Sequence, residues 1–104
     1  MIVRIWTAEA FAAKAGDYRR HFEINVLPHL RRISGFMSAS LLRRVEGDRV
    51  YFIVMTRWSS MEAIRAFAGA EPERAVVEPE ARAALSRFDD TVRHFELAVE
   101  EVVP

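Results

Sequence analysis

The order of strand-like and helix-like segments predicts an α+β domain of the ferredoxin-like type, β-α-β-β-α-β, with a four-stranded antiparallel sheet and helices on one face. Three observations carry that expectation. Apolar residues alternate or run with β-branched content at 1–7, 36–46, 49–58 and 91–103, as they do in strands. Helix-forming stretches separate the first two of these segments and the last two. The middle pair is joined only by Glu46-Gly47-Asp48, which leaves room for a tight turn and therefore a hairpin.

Each element has its own warrant. After the first strand, Ala8-Glu9-Ala10-Phe11-Ala12-Ala13-Lys14 changes to helix formers, so a helix is expected from there. Phe11, Ala15, Tyr18, Phe22, Val26, His29 and Ile33 fall on one side of a 3.6-residue helix. Pro28 lacks an N–H and crowds the preceding turn, so it should break or kink that helix near residue 26. A further turn then reaches Ser34-Gly35, where Gly35 serves as a stop. Ser59-Ser60-Met61-Glu62 fits a capping box with Ser59 as the cap, opening a helix that runs to Gly69. Glu71-Pro72-Glu73 and Glu78-Pro79-Glu80 read as two more helix starts, with proline in the first turn and acids at the positive helix end. Ala81, Ala84, Leu85 and Phe88 form the apolar stripe of the second. Thr91 to Val103 reads as one long final strand.

The chain has 104 residues and reads as one domain, 1–104. It is 51% hydrophobic and 11% aromatic, and both alternating sets of the third strand are apolar: Tyr51, Ile53 and Met55 against Phe52, Val54 and Thr56. Helices can cover one sheet face only. The second face calls for another cover, and a second copy of the same sheet is the simplest, so a homodimer through the sheet face is expected. Lys+Arg and Asp+Glu are 15 each, which leaves no basic footprint for a nucleic acid and no net repulsion between copies. The absence of cysteine removes disulfides, thiolate nucleophiles and Cys-ligated metals. No apolar run reaches the roughly 20 residues of a membrane span, and the N-terminus carries Arg4 inside its apolar stretch, unlike a secretory signal. A cytoplasmic protein with no membrane association is the expectation.

The run Thr56-x-Trp58-x-Ser60-x-Glu62-Ala63-Ile64-x-Ala66-Phe67-Ala68-Gly69 resembles the antibiotic biosynthesis monooxygenase family. Ala75-Val76-Val77-x-Pro79, Phe88-Asp89-x-x-Val92-x-His94-Phe95-Glu96 and Gly35-Phe36 extend the resemblance over nearly the whole chain. It implies a dimeric α+β barrel. It also implies one of the family's activities: cofactor-free oxygenation of polycyclic phenols and quinols, or haem degradation. The known catalytic constellations are not preserved. The cofactor-free oxygenases place an asparagine where this chain has Val54 and a tyrosine where it has Ile64. The haem-degrading relatives place an asparagine in the first strand, which has none here, and a histidine near Ala68. Of these positions only Trp58 carries over.

Candidate site residues follow from residue chemistry. His94 titrates near neutrality and is the expected catalytic base, with Glu96 on the same strand face to orient it. Trp58, Phe67, His29 and Trp6 are the expected substrate-binding residues, aromatic walls for a flat ring. Arg4 shares a strand face with Trp6; it suits a carboxylate or phenolate, though an edge or interface salt bridge is the better reading. His21 and His29, eight residues apart on a helix, would be about 12 Å apart and too far to share an ion, so no metal is expected there. No phosphate loop, nucleophile elbow or paired carboxylate stands out. The expected function is cofactor-independent oxygenation of an electron-rich aromatic or quinol. Alternatives are a non-catalytic homodimer binding a small hydrophobic ligand such as haem, and a proton-transfer isomerase or cyclase.

Overall fold

Strand β1 (Ile2–Phe11) is the hub of the sheet in the computed structural model, which covers all 104 residues. On one edge it pairs antiparallel with β3 (Arg49–Trp58), and β3 pairs with β2 (Phe36–Glu46). The hairpin turns at Gly47, whose φ of +60° suits the first position of a two-residue loop. The other edge of β1 is shared by two short strands, β4 (Arg87–Phe88) at Ala8–Glu9 and β5 (Arg93–Glu96) at Ile2–Ile5. The ferredoxin-like order is therefore present, with the last position divided between β4 and β5.

The ladder extends β1 beyond the expected residue 7. Ala8 and Ala10 are helix formers by propensity, yet pairing with Phe52 and Val50 holds them in the strand, and pairing overrides propensity. Their small side chains are buried at 2% and 0% exposure and let the helices lie close to the sheet. Register sorts the residues by face. Arg4, Trp6, Ala8 and Ala10 stand with Thr56, Val54, Phe52 and Val50 beneath the helices. Val3, Ile5, Tyr51, Ile53, Met55 and Leu42 stand on the opposite face, which no helix covers.

The long first helix proves to be three pieces: α1 (Ala12–His21), a π-helical turn Phe22–Val26, and α2 (Leu27–Arg31). Pro28 sits in the first turn of α2, where its missing N–H costs little, so the chain stays helical through the proline. In the π turn the Leu27 N–H reaches back five residues to the Phe22 carbonyl. That widened turn rotates everything after it. The expected stripe fails at His29, which is exposed, and Leu30 turns inward instead, to 1% exposure.

Gly35, at φ +93°, turns the chain from this helical run into β2, and a Cβ there would sit 2.6 Å from the Ala63 Cβ. The cap of α3 (Met61–Ala68) is Ser60, one residue later than expected; its Oγ accepts the Ala63 N–H at 3.2 Å. The Ser59 N–H is used elsewhere, donating to the Gly35 carbonyl at 2.8 Å. No helix starts at Glu71. Segment 70–78 is a strap that turns at Pro72-Glu73, where Arg74 N–H donates to Glu71 O at 3.0 Å. It is bridged at Arg74 to Thr91, with Ala75 N–H donating to Asp90 O and Val92 N–H to Glu73 O, both 2.8 Å. The following α4 (Pro79–Ala84) does begin at the expected place but ends before Phe88, which lies in β4. Beyond Glu96 the expected strand ends, its last bond to this edge being Leu97 N–H to the Met1 carbonyl at 3.0 Å. No helix is long and apolar enough to cross a membrane.

Candidate functional site

Two apolar clusters lie between the sheet and the helices. One holds Ala10, Tyr18, Phe22, Val50 and Phe52 with Ala81 and Ala84; the other holds Leu30, Trp58, Ala63 and Ile64. Between them is a cavity of about 60 Å³. Its walls are mainly apolar, with Trp6, Tyr18, Phe22 and Phe67 among them, and its polar groups are Arg4, His21, Thr56 and Glu78. Ligand sites usually measure roughly 300–1,000 Å³, so this one holds a few waters until a wall moves. One wall is the strap, which contributes Val76, 45% exposed, and leads into Glu78.

Arg4 is fixed from three sides. Its Nη1 donates to Pro72 O at 2.5 Å and to His94 Nε2 at 2.9 Å, while Nη2 donates to Arg74 O at 3.2 Å. The guanidinium also lies 5.7 Å from the centroid of the Phe67 ring. Burial lowers its pKa to about 10, against a smaller opposing pull from Glu73. It remains charged at neutral pH. Neither a carboxylate nor an edge salt bridge holds it; backbone carbonyls of the strap do.

His94 does not line the cavity. Cross-strand register places it opposite Arg4, and its Nε2 lone pair accepts from that guanidinium. Burial first, then the Arg4 charge, lowers its pKa below the ordinary histidine value. Arg4, rather than Glu96, is the side chain that His94 touches. Trp58 also stands away from the cavity, at 0% exposure. Its Nε1 donates to Thr56 Oγ1 at 2.8 Å, and its ring lies against Phe36 edge-on and stacks on Phe67 at 5.7 Å. Phe67 lines the cavity with Trp58 behind it. Trp6 lines it too, with Nε1 tied to Asp89 O at 2.7 Å. His29 packs near the Phe67 ring at 5.8 Å but is exposed, outside the cavity.

The group the sequence reading passed over is His21. It ends α1 at 6% exposure, lines the cavity, and lies 6.3 Å from the Tyr18 ring. Asn25, one turn on, places its Nδ2 2.9 Å from Nδ1 and donates to it, so in this orientation the ring hydrogen is on Nε2, which has no partner. The two orientations of the Asn25 amide select the two tautomers. With Oδ1 toward the ring, Nδ1 carries the hydrogen and Nε2 keeps a lone pair. Tyr18 beside it stays protonated, because burial and then the Glu78 charge raise its pKa. The available signal was spacing: His21 lies between Tyr18 and Phe22 on the buried side of α1. It was weighed in the sequence only as a metal partner of His29.

None of the functionally curated proteins compared matches the chain. Solved structures do. The haem-degrading protein MhuD of Mycobacterium tuberculosis, with two haems in its active site, is 26% identical over 98% of this chain and 100% of its own, with a TM-score of 0.64. The ActVA-Orf6 monooxygenase of Streptomyces coelicolor, in complex with nanaomycin D, is 19% identical over 99% of this chain and 91% of its own, with a TM-score of 0.62. SnoaB of Streptomyces nogalater, a cofactor-independent oxygenase, is 18% identical over 99% of this chain and 97% of its own, also at 0.62. The sequence model of one family matches residues 1–84, which include β1, α1, the π turn, α2, β2, β3, α3 and α4. The chain belongs to the antibiotic biosynthesis monooxygenase family.

Proposed function

We propose that the protein is a cytoplasmic, cofactor-independent monooxygenase that oxidises a flat, electron-rich phenol or quinol. The observation that carries the reading is the aromatic-walled cavity holding a buried imidazole with a free Nε2 and a buried guanidinium. Trp6 and Phe67 would flank the ring of the substrate. His21 takes the base role first expected of His94, because the His94 lone pair is occupied by Arg4. His94 then acts by holding Arg4, whose charge stabilises the substrate oxyanion. Trp58 supports Phe67 from behind, and His29 closes the outer side of that ring.

The chemistry needs little from the protein. Removing a proton from an anthrone-like carbon or a phenol gives an electron-rich anion. That anion transfers one electron to dioxygen; the resulting radical and superoxide combine to form a C–O bond. The peroxide then loses water, so one oxygen atom stays as a quinone carbonyl and the other leaves as water. Oriented binding and exclusion of bulk solvent supply the remainder.

The working unit in this reading is a homodimer, closed through the uncovered sheet face bearing Ile5, Ile53, Met55 and Leu42. The centre of that face is apolar, with Glu9, Arg44 and Arg57 around it, no helix shields it, and a net charge of zero opposes nothing. The rival reading, a dimer that only binds a hydrophobic ligand, draws its support from the small cavity and from the engaged His94.

Oxygen uptake with a panel of anthrones, dihydroxynaphthalenes and quinols separates the two. The expected result is uptake that His21→Ala lowers roughly 10²–10⁴-fold, the usual contribution of a general base, in a protein that stays folded. Uptake lost in His94→Gln but retained in His21→Ala would return the base to His94. Binding without uptake would favour the rival.

A further inference from the structure

We propose that His21, Glu78 and Glu80 form a binding site for a divalent transition-metal ion, zinc being the best chemical fit, at the mouth of the cavity between α1 and α4. One ligand atom from each of the three lies within 4.8 Å of the other two. An imidazole with two carboxylates suits zinc, and three protein ligands leave a fourth tetrahedral position for water. This inference goes beyond the oxygenase reading and does not depend on it.

Three features raise the cluster above an ordinary group of surface acids. The first is His21, more than nine-tenths buried and lining the cavity with Nε2 unpaired. Surface acids do not usually converge on a buried imidazole. The second is the contact at its other nitrogen. A metal-bound imidazole donates its remaining N–H to an oxygen, which fixes ring and tautomer; Asn25, whose Nδ2 lies 2.9 Å from Nδ1, brings Oδ1 to that place by a half-turn of its amide. The third is charge. Neither Glu78 nor Glu80 takes part in any ion pair of the molecule, so two carboxylates face each other with no cation between them. Their place at the start of α4 accounts for each acid separately through the helix dipole. It does not account for their meeting at the end of a different helix.

The local fold brings the three together cheaply. His21 is the last residue of α1, and Glu78 and Glu80 flank Pro79 at the start of α4, which packs on α1. Pro79 fixes the backbone between the two acids, so only their own side-chain torsions need settle when an ion arrives. Glu80 is exposed and free to swing inward. The sequence reading took Glu-Pro-Glu only as a helix start and rejected a metal on His21 paired with His29. The partner of His21 is another helix altogether.

Zinc on Nε2 occupies the lone pair that takes the proton in the proposed reaction. Metal and substrate deprotonation therefore compete for one atom, and zinc inhibits the oxygenase if that reaction is correct.

The test titrates untagged, metal-free protein with zinc by calorimetry, without substrate, so failure of the oxygenase reading leaves the result intact. Cobalt substitution, read by its visible absorption, reports the coordination. One zinc per chain is expected. Glu80→Gln should bind about tenfold or more weakly, Asn25→Ala about tenfold more weakly, and His21→Ala should not bind at this site. Wild-type protein that takes up no zinc at stoichiometric addition overturns the proposal. Uptake unchanged in Glu80→Gln overturns it as well, and because Glu80 is exposed that variant decides the matter even if His21→Ala fails to fold.

Discussion

Trp58 shows how one residue can be conspicuous in sequence and still stand away from the candidate site. Its ring is fully buried, its N–H is satisfied by Thr56, and it lies between Phe36 and Phe67. Trp58→Ala should therefore cost about 3–5 kcal/mol in urea denaturation, as large-to-small core changes do. His94 yields a different kind of prediction. Its folded pKa is depressed by burial and by Arg4, from an ordinary value of 6.5. The unfolded chain thus holds the proton more tightly. The stability His94 contributes is fully present above the ordinary value of 6.5 and is lost as pH falls from there through the lower folded pKa. Thermal melts from about pH 7 down to about pH 5 should show a decline that His94→Gln makes shallower, since glutamine keeps an acceptor for Arg4 but does not titrate. The types of the buried residues were legible in the sequence; their partners were not. Arg4 and His94 are 90 positions apart, and only the β1–β5 register brings them to 2.9 Å.

Among the elements, those with strong local signals stand where the sequence puts them: β2, the Gly47 turn, β3 and α4's start at Glu78-Pro79. The departures have physical causes. Ala8–Phe11 stays in the strand because β3 continues alongside it, and no local pattern announces the length of a partner strand. The π turn is the more consequential departure. A single widened turn between Phe22 and Val26 moves His29 outward and Leu30 inward, and a strict 3.6-residue count cannot anticipate it. The cap of α3 was misplaced by one residue within Ser59-Ser60. Ser60→Ala should cost about 1 kcal/mol by chemical denaturation, the usual worth of an N-cap serine. Ser59→Ala, which touches no helix amide, should cost clearly less.

For the whole molecule, the sheet is the organising fact. One face bears the helices, the cavity and the His21 cluster; the other, with Ile5, Ile53, Met55 and Leu42, has no helix over it. In the dimeric reading Ile53→Glu places a charge in the middle of the buried sheet contact. Size-exclusion chromatography with light scattering should show dimer for the wild type and monomer for the variant. A variant that remains dimeric would move the interface off this face. The sequence foretold this two-sided apolarity from alternation alone, whereas the cavity depends on how α1, α3 and the strap close over β1 and β3, which no short-range pattern encodes.

The strap has a kinetic meaning as well as a structural one. It covers a space too small for a tricyclic guest, and Arg4 secures it through two carbonyls, Pro72 O and Arg74 O. A guest enters only during the fraction of time in which those bonds are open. The observed dissociation constant is the intrinsic one divided by that fraction, and the bimolecular association rate falls in proportion. In the oxygenase reading Arg4 thereby sets how fast the protein meets its ligand, quite apart from what it does once the ligand is inside.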